Sequence, residues 1–286
     1  MLITLLLFLT KFIFMKFLLV TISIFFFSSS FSQYYYNDII SNNQSNRQYQ
    51  LLKSNKIKKV TINSFDADNR PLQGISLTQE FAPDYSELST IDSSSTLNTF
   101  YENNKVKRTS TIVKDIETIT DYSYDDKGRL HSISSATTDT ALKSDAAEKH
   151  IWEYNSNNHP DYMLKIKNNT DTTRVELICD TQGNVIEEHW KKNNLSLETY
   201  YYYYNDKNLL TDIVRFNKRA QKLLPDFLFE YDANNRVSQM IQVPAGNSNY
   251  LVWHYLYNEN GLKQQEICTD KQKQVVGKVV YSYLQN

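Results

Sequence analysis

From Thr99 to Tyr283, bulky apolar residues stand two positions apart just before a polar cluster that opens with Asp or Asn. The pattern is clearest in Tyr122–Leu130 (YSYDDKGRL), Tyr202–Leu210 (YYYNDKNLL), Phe229–Val237 (FEYDANNRV) and Tyr255–Lys263 (YLYNENGLK). Weaker copies occupy Asn63–Pro71, Thr99–Lys107, Trp152–Pro160 and Leu177–Val185. The residue before each Asp or Asn serves as an anchor: Phe65, Tyr101, Tyr124, Tyr154, Cys179, Tyr204, Tyr231 and Tyr257, with Tyr283 as a ninth. From Tyr101 onward the anchors recur about every 25 residues, the mark of a repeat architecture. Alternate residues of an extended chain share a face, so each anchor and the residue two before it cover one side of a strand.

Each column of the repeat has a local cause. Asp or Asn after the anchor accepts hydrogen bonds from backbone N–H groups further along a type I turn. Four residues after the anchor stand Asn69, Lys105, Gly128, Asn158, Gly183, Asn208, Asn235 and Gly261, nearly all of them residue types that accept positive φ cheaply. A type I turn followed by a left-handed residue is a common hairpin loop with a bulge. The column two before the anchor (Tyr122, Trp152, Leu177, Tyr202, Phe229, Tyr255, Tyr281) predicts an aromatic ladder in which successive hairpins stack ring on ring.

Polar segments between the acidic turns, such as Lys167–Asp171 and Asp270–Lys273, mark the opposite ends of the hairpins. Two strands of roughly eight residues and two turns fit each unit. The prediction is an all-β antiparallel meander of about 14–18 strands, forming one elongated curved sheet, with a partly closed shell or barrel as the alternative. All acidic turns then lie along a common edge. Ala141–Lys149 (ALKSDAAEK) reads as a loop insertion with a helical turn.

The first 32 residues have a different character. Lys11 and Lys16 flank apolar runs, Phe17–Phe27 has the length of a signal-peptide core, and Ser30 and Ser32 suit a cleavage site before Gln33. Met15 is a second possible start. The competing reading is an uncleaved anchor over Leu2–Phe27, penalised by its two lysines. No Cys follows the run, so a lipid anchor at the mature start is not expected. Residues 33–50 are rich in Asn, Gln and Tyr without a sustained period and read as a linker. Residues 51–286 form the repeat domain.

Tyr124–Leu130 (YDDKGRL) and Tyr231–Val237 (YDANNRV) resemble the YD repeat of RHS-like bacterial proteins, with its Tyr-Asp-x-x-Gly-Arg-Leu consensus. The export segment and the Asn/Lys/Ile-rich composition look like secreted proteins of Bacteroidetes. The resemblance covers about Asn63 to Tyr283 and implies hairpins that build long sheets, shells or surface modules. The chain is short, lacks the Asp-Pro-rich self-cleavage core and shows no distinct toxin domain after Tyr283, so toxin encapsulation is not expected from the resemblance.

Charge and chemistry narrow the function classes. Lys plus Arg number 31 and Asp plus Glu 32, so there is no basic field for nucleic acid. The 21 Tyr suit pleated surfaces. Cys179 and Cys268 are too few for a disulfide scaffold or structural zinc, and lie about three repeats apart. No nucleophile elbow, phosphate loop or His-Glu-x-x-His occurs, and the five histidines are scattered. The acidic turns lack a calcium-loop spacing. The Asp-Ser-Ser-Ser run at Asp92 has no base in register. No catalytic residue, metal or cofactor is therefore expected.

Tyr200–Tyr204 is the most unusual run. Tyr200, Tyr202 and Tyr204 continue the ladder, which leaves Tyr201 and Tyr203 on the opposite face. Flat aromatic surface with hydroxyl tips suits sugars or protein side chains, and Trp190 and Trp253 are candidates to extend it. The expected function is an exported, non-catalytic module, secreted, periplasmic or on the cell surface, that binds polysaccharide or an envelope or secreted protein through Tyr201, Tyr203, Trp190 and Trp253. It has no stable membrane span after signal cleavage. The rivals are a carbohydrate-active hydrolase assembled from several repeats and an outer-membrane barrel, which Ser123, Glu153 and Glu230 on the second face disfavour.

Overall fold

The computed structural model describes residues 33–193, 195–217, 221–244 and 249–285. The expected signal peptide, residues 1–32, lies outside the described residues. A π-helical segment, Tyr35–Ile40, continues into helix α1 (Ser41–Ser54). Eighteen strands follow: β1 (Ile57–Asp66), β2 (Pro71–Phe81), β3 (Glu87–Ile91), β4 (Thr96–Glu102), β5 (Lys105–Val113), β6 (Ile116–Tyr124), β7 (Leu130–Asp139), β8 (Ser144–Tyr154) and β9 (Pro160–Lys167). The second half comprises β10 (Asp171–Cys179), β11 (Val185–Lys192), β12 (Leu195–Tyr204), β13 (Leu210–Asn217), β14 (Lys222–Tyr231), β15 (Val237–Gln242), β16 (Leu251–Tyr257), β17 (Lys263–Asp270) and β18 (Val275–Gln285). Ser144–Lys149, expected as part of an insertion with a helical turn, is strand; only a tight turn precedes it.

Every strand pairs antiparallel with its sequence neighbours, and β1 pairs with β18 from Ile57↔Gln285 to Asp66↔Gly277. The meander is thus a closed barrel of 18 strands, where the main expectation was an open curved sheet. Closure satisfies the backbone groups that two free edges would leave exposed.

Antiparallel order sends alternate turns to opposite ends. Rim A carries the turns that follow even-numbered strands, from Ala82–Ser86 to the turn after Tyr257; rim B carries those that follow odd-numbered strands. The Asp125, Asn155, Asp180, Asn205, Asp232 and Asn258 turns share rim A. Asp66 breaks the expected common edge, because its turn joins β1 to β2 on rim B.

The turn chemistry recurs with little variation. Asp125 Oδ1 accepts the Lys127 and Arg129 N–H groups at 3.0 and 2.8 Å. Asp180, Asn205, Asp232 and Asn258 accept the equivalent pair. Residues at the fourth position after the anchor adopt positive φ, from Asn208 at 58° to Gly183 at 89°, except Lys105, which already opens β5 after Asn103 and Asn104 take the positive φ values. At Gly183 a Cβ would also stand 2.6 Å from the His159 ring, so only glycine lets neighbouring turns pack this closely. The register slips at each anchor that is followed by a turn, for example Tyr124↔Leu130 after Ser123↔Ser132, which is the bulge the turn type requires.

The anchors hold one repeat to the previous one, although not by ring stacking. Equivalent rings sit two strands apart, roughly 10 Å, beyond direct contact. Instead the anchor tyrosines from Tyr154 onward lean across and donate their hydroxyls to a carbonyl at the start of the preceding return strand. Tyr154 reaches Leu130 O (2.7 Å), Tyr204 Val185 O (2.9 Å), Tyr231 Leu210 O (2.6 Å), Tyr257 Val237 O (2.8 Å) and Tyr283 Lys263 O (2.6 Å). Cys179 replaces tyrosine and directs its thiol at Pro160 O, 3.4 Å away. The Arg129 and Arg236 guanidinium groups pair with their own turn carboxylates, Asp125 and Asp232. They also lie 4.0 and 4.5 Å from the ring centroids of the next anchors, Tyr154 and Tyr257. The Arg of the motif therefore ties two adjacent repeats.

Candidate functional site

A barrel of this strand number can enclose an open channel, but here the chain fills its own lumen. Residues 33–54, expected as a linker over 33–50, form a helical plug. Its buried stripe is Asn42, Asn46, Tyr49 and Leu52, at helical spacing. Tyr49 stacks on Tyr101 of β4 with centroids 3.8 Å apart. Asn46 Oδ1 accepts the Val106 N–H of β5, and Tyr124 of β6 donates to Asn42 Oδ1. Near its start, Tyr34 packs on Trp190 of β11, Tyr35 edge-on to Tyr202 of β12, and Tyr36 against Phe227 and Phe229 of β14. Tyr202 and Phe229 of the column thus meet rings of the plug rather than each other.

Three carboxylates lock the N-terminal end of this plug. Glu188, fully buried on β11, accepts four hydrogen bonds: Oε1 from Tyr34 N–H (2.9 Å) and Trp190 Nε1 (2.6 Å), Oε2 from Tyr35 N–H (3.0 Å) and Tyr202 hydroxyl (2.5 Å). The two backbone donors belong to the first helical turn, whose N–H groups have no partner within the helix. Glu188 caps that helix from the barrel wall, where its charge also meets the positive end of the helix dipole. Burial pushes its carboxyl above the ordinary carboxylate range, while the four donors pull it back. Asp226 of β14 accepts from Gln33 Nε2 at 2.8 Å and pairs with Arg215 of β13 at 3.1 Å. Burial raises its carboxyl as well.

Asp38 supplies the third lock from the plug side. Its Oδ2 accepts from Trp152 Nε1 at 3.0 Å and lies 2.7 Å from His150 Nδ1. His150 Nε2 is 2.9 Å from Glu148, which also pairs with Lys165 at 2.8 Å. Burial alone would lower His150, but the charges and hydrogen bonds of Asp38 and Glu148 outweigh it, and its imidazole is pushed up to about 9. Burial likewise opposes the charge of Glu148, yet His150 and Lys165 bring it down to about 2.

The four residues expected to share a binding face divide between two surfaces. Tyr201 and Tyr203 point outward, because Tyr200 and Tyr202 are buried in the lumen. Tyr203 is 48% exposed and lies opposite Asp212; Tyr201 is half-buried between Glu187 and Val214. Trp190 and Trp253 are corrections. Trp190 faces inward onto Tyr34 and Tyr200, and Trp253 is 0% exposed, on the inner face opposite Met240 and Cys268. Both tryptophans stand on inward positions of their strands, so neither extends the outer patch.

The plug locks were missed in the sequence. One signal for Glu188 was present: it is two residues from the inward Trp190 and therefore shares the aromatic face. Asp92 of the Asp-Ser-Ser-Ser run spends its carboxylate on the β3–β4 turn, accepting from the Ser94 and Ser95 N–H groups and hydroxyls. Cys179 and Cys268 are free thiols. Among the described residues no helix is long and apolar enough to cross a membrane.

Fold and site together define a closed antiparallel β-barrel of hairpin repeats, plugged by its own N-terminal helix. No protein-family model and no curated protein matches the chain. Among solved structures it is similar to a porin-like protein from Bacteroides uniformis at 10% identity, with a TM-score of 0.42, over 80% of this chain and 97% of that one. A porin-like protein from Bacteroides vulgatus matches at 10% identity and a TM-score of 0.31, over 80% and 98%. A Photorhabdus luminescens Tc holotoxin pore matches at 11% identity and a TM-score of 0.29, over 70% of this chain and 14% of that one. Likenesses at this level carry no functional argument.

Proposed function

We propose that this chain is an exported, non-catalytic barrel of YD-type repeats that binds an extended polysaccharide at the cell envelope or outside it, on the outer face around Tyr201 and Tyr203. The observation that carries the reading is the outward pair of tyrosines beside the carboxylates of Glu187 and Asp212. Aromatic faces stack on sugar rings, and flanking carboxylates accept their hydroxyls. Export follows from the apolar segment before Gln33. A hydrolase would need two carboxylates flanking an open cleft; Glu188 and Asp226 of the wall instead hold the plug, and Asp38 of the plug holds the wall.

A glycan array, followed by affinity measurement on the best ligand, tests this. The Tyr201→Ala/Tyr203→Ala variant is expected to bind about tenfold more weakly. An array without ligands, or a ligand held equally well by the double variant, removes the proposal.

A further inference from the structure

The two ends of the barrel differ in polarity. Of the 14 exposed large apolar side chains among the described residues, only Ile178, Tyr203, Leu256 and Leu284 lie toward rim A. The other ten cluster at rim B, where Leu142 is 76% exposed, Leu195 68% and Ile112 57%. They are distributed around the circumference, in the β3–β4, β5–β6, β7–β8, β11–β12, β13–β14 and β17–β18 hairpins. Isolated exposed apolar residues are ordinary, whereas a belt of them concentrated at one end, ten against four, marks a contact surface.

A second observation bears on the same end. Gln33, where the described chain begins, lies in the lumen against Asp226 and near Arg215. Asp226 is four residues from the rim B end of β14, and Arg215 two residues from that end of β13. The 32 residues before Gln33, which include the apolar runs Leu2–Thr10 and Phe17–Phe27, are therefore joined to the barrel on its rim B side. A segment of that composition is delivered to a lipid bilayer, whether it is later removed or kept. The apolar ring and the membrane-directed segment thus share one pole.

The geometry points to rim B as a lipid-docking surface: the barrel stands on a bilayer with its apolar turns in the interfacial region and rim A facing away. The contact is peripheral, since ion pairs such as Arg108–Asp121 and Lys59–Glu80 occupy the outer wall. Leu142, Leu195, Leu223 and Val275 would enter the acyl boundary, with Lys143, Lys222 and Lys273 at headgroup level.

Co-sedimentation of the chain beginning at Gln33, which carries every contact described above, with vesicles of phosphatidylethanolamine and phosphatidylglycerol tests this apart from the N-terminal segment. Binding is expected, and Leu142→Glu/Leu195→Glu/Leu223→Glu should weaken the partition coefficient by about tenfold or more. The rim A variant Ile178→Glu/Leu256→Glu should change it less than about twofold. These positions are exposed, and unchanged circular-dichroism melting confirms that each variant is folded. Absence of vesicle binding, equal loss in both variants, or a rim B that captures an envelope protein but no vesicles overturns the proposal. The Tyr201→Ala/Tyr203→Ala variant should still bind vesicles, which keeps this result separate from glycan binding.

Discussion

Tyrosine at the anchor does two jobs that phenylalanine cannot share. Its ring covers the inner face, and its hydroxyl satisfies a carbonyl of the preceding repeat at a point where the bulge interrupts the ladder. Tyr231→Phe removes only the second, and should cost about 1 kcal/mol in urea melts. Tyr122→Ala removes a partly buried ring packed against the lumen core and should cost about 2 kcal/mol. A Tyr231→Ala variant no less stable than Tyr231→Phe would mean that the hydroxyl, not the ring, carries the repeat contact. Glu188→Gln is the sharper test of the plug. An amide NH2 would face two of the four donors, and buried donors left unpaired cost about 1–3 kcal/mol each. Hydrogen exchange at Tyr34 and Tyr35 should rise in that variant before exchange in the strands does.

At the scale of elements, the plug and the wall are linked through protonation. His150 has a raised pKa in the fold, so its charged form is the stabilising one. Its contribution is complete below about 6.5 and is lost as pH rises through about 9. The melting-temperature gap between the natural chain and His150→Gln should therefore be widest in mild acid and close in alkali. A gap independent of pH would place the stabilising role of His150 elsewhere. Glu188 and Asp226 carry the same sign: burial raises both carboxyls, so the stability associated with their neutral forms is complete below the ordinary carboxylate range and is lost as pH rises through their raised pKa values. Rising pH should therefore loosen the N-terminal end of the plug, first through the two carboxyls and then, as pH passes about 9, through His150.

For the whole molecule, closure and plug depend on each other. Without residues 33–54, the lumen would expose Trp152, Trp190, Tyr200 and Tyr202 together with the carboxylates that now grip the helix. A chain lacking that segment should bind a hydrophobic dye and lose its cooperative melt. Removing β18 should open the β1 and β17 edges and drive aggregation. Retention of a sharp melt by either truncation would show that the barrel holds without that part.

The sequence by itself determined the hairpin unit. The Asp or Asn at Asp125 and Asn205, the left-handed residue at Gly128 and Asn208, and the paired aromatics before them act within about ten residues. Backbone sterics and side-chain alternation at that range suffice to specify a turn and a face. It also placed Tyr201 and Tyr203 opposite the ladder. It misjudged Trp253, which stands four residues before the anchor Tyr257 on one strand and shares its inner face by alternation, and Trp190, whose facing follows the bulge where Cys179 meets Val185. Only the tertiary structure decided that β1 meets β18, since nothing near Ile57 or Val275 encodes a partner more than two hundred residues away. Only it turned residues 33–54 from an apparent linker into a core. Asn42, Asn46 and Tyr49 are buried for the hydrogen bonds and ring contacts that the lumen offers them, a form of burial that hydrophobic patterning does not register.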